Sequence, residues 1–136
     1  MAALMSIAQA VGTANVAEWA KLVLSNLQAP VLRVTRLRRD DQARPVALEE
    51  VVLPLDRFPG LAPNGGDIPD IVELAQRHGL SLGRVTERIN IVRATRDVAL
   101  HLGMAAGTNV IKLDRITETV DGEPVEWRVA FARTTG

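Results

Sequence analysis

The chain has 136 residues with sixteen basic and sixteen acidic side chains, so its formal net charge is zero, and it contains no cysteine. This length suits one domain with a single buried core, and the missing cysteines exclude disulfides, zinc–thiolate sites and thiol nucleophiles. No basic stripe offers a footprint for a nucleic acid backbone, no apolar run approaches the ~18 residues of a membrane span, and no signal peptide opens the chain, so a soluble cytoplasmic protein that does not itself bind DNA is expected.

In chain order, Met1 to Thr13 is poor in polar groups and reads as a leader, with the domain proper over 14–136. A helix follows from Val16 to Gln28: Asn15 with Glu18 three residues on forms a capping box, and Val16, Trp19, Val23 and Leu27 recur at helical spacing, with Trp19 as a core anchor. Val31 to Val52 reads as a hairpin, and Leu53 to Leu61, punctuated by Pro54 and Pro59, as a loop. A second helix is expected from Ile68 or Pro69 to His78, capped by Asp67 and stopped by Gly79. Ser81 to Ala94 alternates as a long strand with Val85, Glu87, Ile89, Ile91 and Arg93 on one side. A short helix, Arg96 to Leu102, starts at Thr95 and ends at Gly103, and Val110 to Phe131 is a second hairpin.

The two hairpins align without a gap at an offset of 79 residues, which marks an internal repeat. Asp121-Gly122 tolerates positive φ at both central positions of a type I′ turn. The register that follows pairs Val120 with Glu123, Thr117 with Glu126 and Arg115 with Arg128; carried back by the offset, it pairs Arg38 with Ala47 and Arg36 with Glu49. Strand alternation then collects Leu32, Val34, Arg36, Arg38, Ala47 and Glu49 with Val51, Arg115, Thr117, Glu126 and Arg128 on one face. Leu37, Val46, Leu48, Val52 and Ile116 fall with Val125, Trp127, Val129 and Phe131 on the other, which reads as the core.

The charged face admits two readings. In the plainer one it is solvated and holds cross-strand ion pairs such as Arg36 with Glu49, each worth ~0.2–1 kcal/mol. In the other it is a ligand site: Arg36 and Arg38 offer guanidinium forks to a carboxylate or phosphate, and Glu49 and Glu126 accept from hydroxyls, amides or amines. His78 and His101 each close a helix beside a glycine, where a cation suits the dipole. Pro63-Asn64-Gly65-Gly66-Asp67 has the glycines of a phosphate loop but no following Lys or Ser, and reads as a plain loop.

The run Arg36-Leu37-Arg38, Pro45-Val46-Ala47-Leu48-Glu49 and Leu53-Pro54-Leu55-Asp56-Arg57-Phe58-Pro59-Gly60-Leu61 resembles the signature of the UTRA domain. The resemblance continues through His78-Gly79-Leu80, Leu102-Gly103 and Gly107-Thr108 to Asp121-Gly122-Glu123-Pro124-Val125-Glu126. UTRA is the effector-sensing half of the HutC branch of GntR-type bacterial transcriptional regulators. The resemblance implies a chorismate-lyase-like α+β fold, an antiparallel sheet with packed helices, and a small-molecule pocket on the sheet. It also implies no catalysis, metal or cofactor, a homodimer, and DNA binding only through a winged helix outside this chain, which reads as a shortened form. The ligand-contacting residues it implies are Arg36, Arg38, Glu49 and Glu126, with Arg128 beside them.

Three departures narrow the ligand. The serine usual at the start of the second helix is replaced by Asp67-Ile68-Pro69-Asp70, which is hostile to an anion. A tyrosine usual six residues after the second acid is Ala132, and the usual closing segment is absent. The effector is therefore expected to be a carboxylate-bearing metabolite with an amino or amide group, rather than a sugar phosphate. The alternative from another class is an enzyme of the same fold with lyase chemistry on a small carboxylate.

Overall fold

The computed structural model describes residues 3–24, 28–61 and 67–134. Six strands, β1 (Ala3–Thr13), β2 (Pro30–Arg39), β3 (Pro45–Pro54), β4 (Leu82–Arg93), β5 (Asn109–Thr119) and β6 (Pro124–Arg133), form one antiparallel sheet in the order β1-β2-β3-β6-β5-β4. Three helices, α1 (Val16–Leu22), α2 (Ile71–Arg77) and α3 (Arg96–Leu102), and a 3-10 turn at Leu55–Arg57 complete the α+β architecture. Among the described residues no helix is long and apolar enough to cross a membrane.

The repeat is larger than the hairpins. The capping residues Asn15 of α1 and Thr95 of α3 stand 80 residues apart, and each helix follows an edge strand and precedes a hairpin. The sheet is thus one β-α-β-β unit and its copy, related by an approximate two-fold between Glu50 and Val129, which pair across β3 and β6 at the offset of 79. Ala3–Thr13, read as part of a leader, form β1, the counterpart of β4, paired with β2 along its length. Their uncharged, weakly alternating sequence hides the strand.

The hairpin turns are built alike, and neither is type I′. In the second, the Gly122 N–H donates to the Thr119 carbonyl and the Thr119 N–H to Glu123, with Gly122 left-handed at φ 83°. In the first, Ala43 and Asp40 take the same bonds and Ala43 is left-handed at φ 63°. Each is a three-residue loop followed by one extra residue, Val125 or Val46. The loop and bulge cancel, so Thr117–Glu126, Arg115–Arg128, Arg36–Glu49 and Arg38–Ala47 pair as expected. The bulge also moves Val125 out of alternation, and it is fully buried with the α2 core instead of on the opposite face.

Both sheet faces carry a core. Leu32, Val34, Val51 and Leu53, at the apolar margin of the charged face, pack against Phe58, which closes the 3-10 turn, and against Ile68, Ile71 and Leu74 of α2 and its approach. On the opposite face Leu37 and Leu48 pack against Val98, Ala99 and Leu102 of α3. α2 begins later than expected: Pro69 biases Ile68 to extended backbone, and Asp70, not Asp67, caps the helix by accepting from the Glu73 N–H at 3.2 Å.

The capping box of α1 forms as expected, but the helix stops at Leu22, with Val23 left-handed as its cap. Leu27 lies outside the described residues. Trp19 is 41% exposed and is no core anchor. Glu18 takes the inward position instead, because Arg33 on β2 grips its carboxylate with two donors at 2.7 and 2.6 Å.

Candidate ligand site

The charged face is not solvated. Arg36, Glu49 and Glu126 are 2%, 4% and 1% exposed, since α2 and its approach fold over this side of the sheet. Arg38 stands at the rim with about a third of its side chain open, and Arg128 is mostly covered.

The ion pairs interlock. The Glu49 carboxylate lies 3.4 Å from Arg38 and 3.8 Å from Arg128 through the same oxygen, Oε2. Glu126 accepts from the Thr117 hydroxyl at 3.2 Å and lies 3.9 Å from Arg115, which reaches Glu87 at 3.4 Å. Arg36, although directly opposite Glu49, donates from Nη2 to the carbonyls of Ile68 and Pro69, both at 3.1 Å. It therefore ties β2 to the entry of α2.

The electrostatics follow from burial. Burial pushes the Arg36 guanidinium below its ordinary range, opposed by Glu49 and Glu126. Burial also raises Glu126, against the pull of Arg128, Arg115, the Thr117 hydroxyl and Arg36. Several polar atoms remain unmatched: Arg36 Nε, Glu49 Oε1, Arg115 Nε and Arg128 Nε are buried without a hydrogen-bond partner among the described residues. Such atoms are rare in folded proteins.

All five residues expected from the sequence, Arg36, Arg38, Glu49, Glu126 and Arg128, thus lie on one face; Arg38 and Arg128 meet at Glu49, whereas Glu126 takes Thr117 and Arg115, and Arg36 takes the carbonyls of Ile68 and Pro69. Arg115 was on that face in the register but not among the expected contacts; its signal is the offset of 79 that makes it the counterpart of Arg36. Asn64, Gly65 and Gly66 lie outside the described residues. His78 and His101 hold structural places, with Nδ1 2.9 Å from the carbonyls of Leu74 and Asp97. A separate cavity of about 310 Å³ opens under α1 on the other face, lined by Glu18, Arg33, Glu50, Val52, Trp127 and Val129 among others.

The UTRA domain model matches residues 7–135. The chain belongs to the UTRA domain family. It is 34% identical over 95 residues to the HTH-type transcriptional regulator Rv0792c of Mycobacterium tuberculosis, covering 67% of this chain and 35% of that protein. It superposes on PhnF from Mycobacterium smegmatis with a TM-score of 0.87 at 26% identity, over 98% of this chain and 58% of PhnF, and over 82% of the separately solved effector domain of PhnF. The ligand-binding domain of a GntR-family regulator from Bordetella bronchiseptica shares the fold, with a TM-score of 0.88 at 22% identity over 99% of this chain and 84% of that one. UTRA domain homologues are the effector-binding domains of GntR-family transcriptional regulators. This chain spans about a third of the curated relative.

Proposed function

We propose that this UTRA domain is the cytoplasmic, homodimeric effector sensor of a transcriptional regulator of the HutC branch, whose DNA contacts are made by a winged helix outside the 136 residues. The observation that carries this reading is the set of buried, unmatched polar atoms on the charged face, Arg36 Nε, Arg128 Nε and Glu49 Oε1. A small molecule bearing an acid for the guanidinium groups and a hydroxyl, amide or amine for Glu49 would complement them.

The effector class is a carboxylate metabolite. Arg38, Arg128 and the Nε of Arg36 supply donors to one acid group, while Glu49 Oε1 and Glu126 accept from the hydroxyl, amide or amine it carries. A dianionic phosphate would need further donors, and the start of α2 offers Pro69, which has no N–H, and the Asp70 carboxylate, already occupied as the cap. A two-fold regulator reading a near-palindromic operator needs a symmetric sensing half, which supports the dimer. The test is a thermal-shift screen of carboxylates and sugar phosphates followed by calorimetry. Micromolar binding of a carboxylate supports the assignment; binding of a sugar phosphate with no competing carboxylate reverses it.

A further inference from the structure

α2 covers only half of the charged face. Leu32, Val34, Val51 and Leu53, which it buries, have Ile111, Leu113, Ala130 and Ala132 as counterparts at the offset of 79, and these are partly buried and join neither core. The register sets them beside the charged site. Ala130 pairs with Glu49 and Ala132 with Ala47 on one side, and on the other Ala130 pairs with Leu113 and Ala132 with Ile111.

Where the covered half has Val51 and Leu53, the open half has two alanines, so the face dips along β6, starting from Arg128, the preceding residue of that strand on this face. Ala47, Ala130 and Ala132 form an apolar floor, bounded by Arg38 on β2 and by Leu113 and Ile111 on β5. Glu49 stands at its head, 4% exposed, with Oε1 lacking a hydrogen-bond partner among the described residues. From Glu49 to Leu113 is two strand spacings, about 10 Å, the reach of a side chain of about six carbons.

We propose that the effector is a 2-amino or 2-hydroxy acid with a long apolar side chain, which lies on the alanine floor against Leu113 and Ile111. The inference deepens the sensor reading and rests on it. The acid meets Arg38 and Arg128, the amine or hydroxyl donates to Glu49 Oε1, and the side chain leaves over Ala130. One molecule thus answers the unmatched atoms Glu49 Oε1 and Arg128 Nε and covers the apolar surface that continues from them. A polar side chain of the same length is rejected, because the floor offers it neither donor nor acceptor. The cavity under α1 has no such pairing of an unmatched head with an apolar floor, since Glu18 and Arg33 there satisfy each other.

Calorimetry with the straight-chain 2-amino acids, from alanine to 2-aminooctanoate, and with their 2-hydroxy analogues reads the floor directly. Affinity is expected to rise about threefold for each added methylene, and 2-aminohexanoate to bind about tenfold or more tighter than glutamine, which has the same reach. In Ala132→Trp, whose indole fills the floor, and in Leu113→Asn, whose amide makes its wall polar, the rise with length should vanish, with melting curves showing that each variant is folded. A flat or falling series in the parent, or a rise that persists in both folded variants, overturns the side-chain assignment and leaves the sensor reading standing. No binding by any member at millimolar concentration overturns the proposed class, whereas a thermal-shift screen in which no small molecule of any class binds overturns the sensor reading itself.

Discussion

Ala43 and Gly122 occupy the same left-handed position in the two hairpin loops, at φ 63° and 83°. Only the glycine adopts it without a Cβ penalty. Ala43→Gly should therefore stabilise the domain by about 0.5–1 kcal/mol and Gly122→Ala should destabilise it by a similar amount or more. Urea midpoints at constant slope test both signs.

Arg36 and Arg38 are two residues apart and have different tasks. Arg36 is buried and holds the carbonyls of Ile68 and Pro69, so Arg36→Ala should cost about 2–4 kcal/mol of stability as well as effector affinity. Arg38 is partly open, with one long contact to Glu49 at 3.4 Å, so Arg38→Ala should stay within about 1 kcal/mol of the parent while losing binding. Chemical denaturation beside calorimetry separates the two effects.

Two carboxylates should tilt the pH dependence of stability in opposite directions. Glu126 is raised above its ordinary value of 4.5 by burial. Between that value and its folded one the native state binds the extra proton, so its contribution is full below 4.5 and is lost as pH rises through the folded pKa. Glu18 is lowered, since the bonds from Arg33 and the Asn15 N–H outweigh the burial that pushes it up. Its contribution is present above 4.5 and is lost as pH falls through the folded value. Melting curves of Glu126→Gln and Glu18→Gln against the parent should differ in slope with opposite sign. Equal slopes would show that neither shift exists.

Glu18 also fixes a joint. Its carboxylate accepts from the Asn15 N–H at 2.8 Å and from Arg33, whose Nη2 also donates to the Thr13 carbonyl at 2.7 Å. Glu18→Ala should destabilise the domain by about 1–3 kcal/mol and free the end of β1. Amide exchange near Thr13 reads the second effect.

The hairpins were legible in the sequence because their apolar alternation repeats at an offset of 79, and the placing of Arg36, Arg38, Glu49, Glu126 and Arg128 on one face followed from the same register. The error in turn type did no harm there, since a three-residue loop plus one bulged valine restores the pairing that a two-residue turn would have set. β1 was not legible: Ala3 to Thr13 has no charge to mark an outer face, and its strand character depends on β2 alongside it. Trp19 misled because helical spacing identifies a stripe and not which way it turns, and here the fork between Arg33 and Glu18 sets the rotation. The burial of Arg36 was equally hidden, because its acceptors, the carbonyls of Ile68 and Pro69, lie some thirty residues away in the chain and are backbone groups that any residue would supply.

The central claim is that the charged face, and not the cavity under α1, receives the effector. Calorimetric titration of one effector found by thermal shift, into the parent, Arg38→Ala and Glu50→Ala, tests it directly, because Arg38 belongs to the charged face and Glu50 lines the cavity. The account predicts that Arg38→Ala weakens binding by about tenfold or more, as loss of a charge-assisted contact requires, and that Glu50→Ala binds like the parent. Parent-like binding by Arg38→Ala together with loss in Glu50→Ala would contradict it.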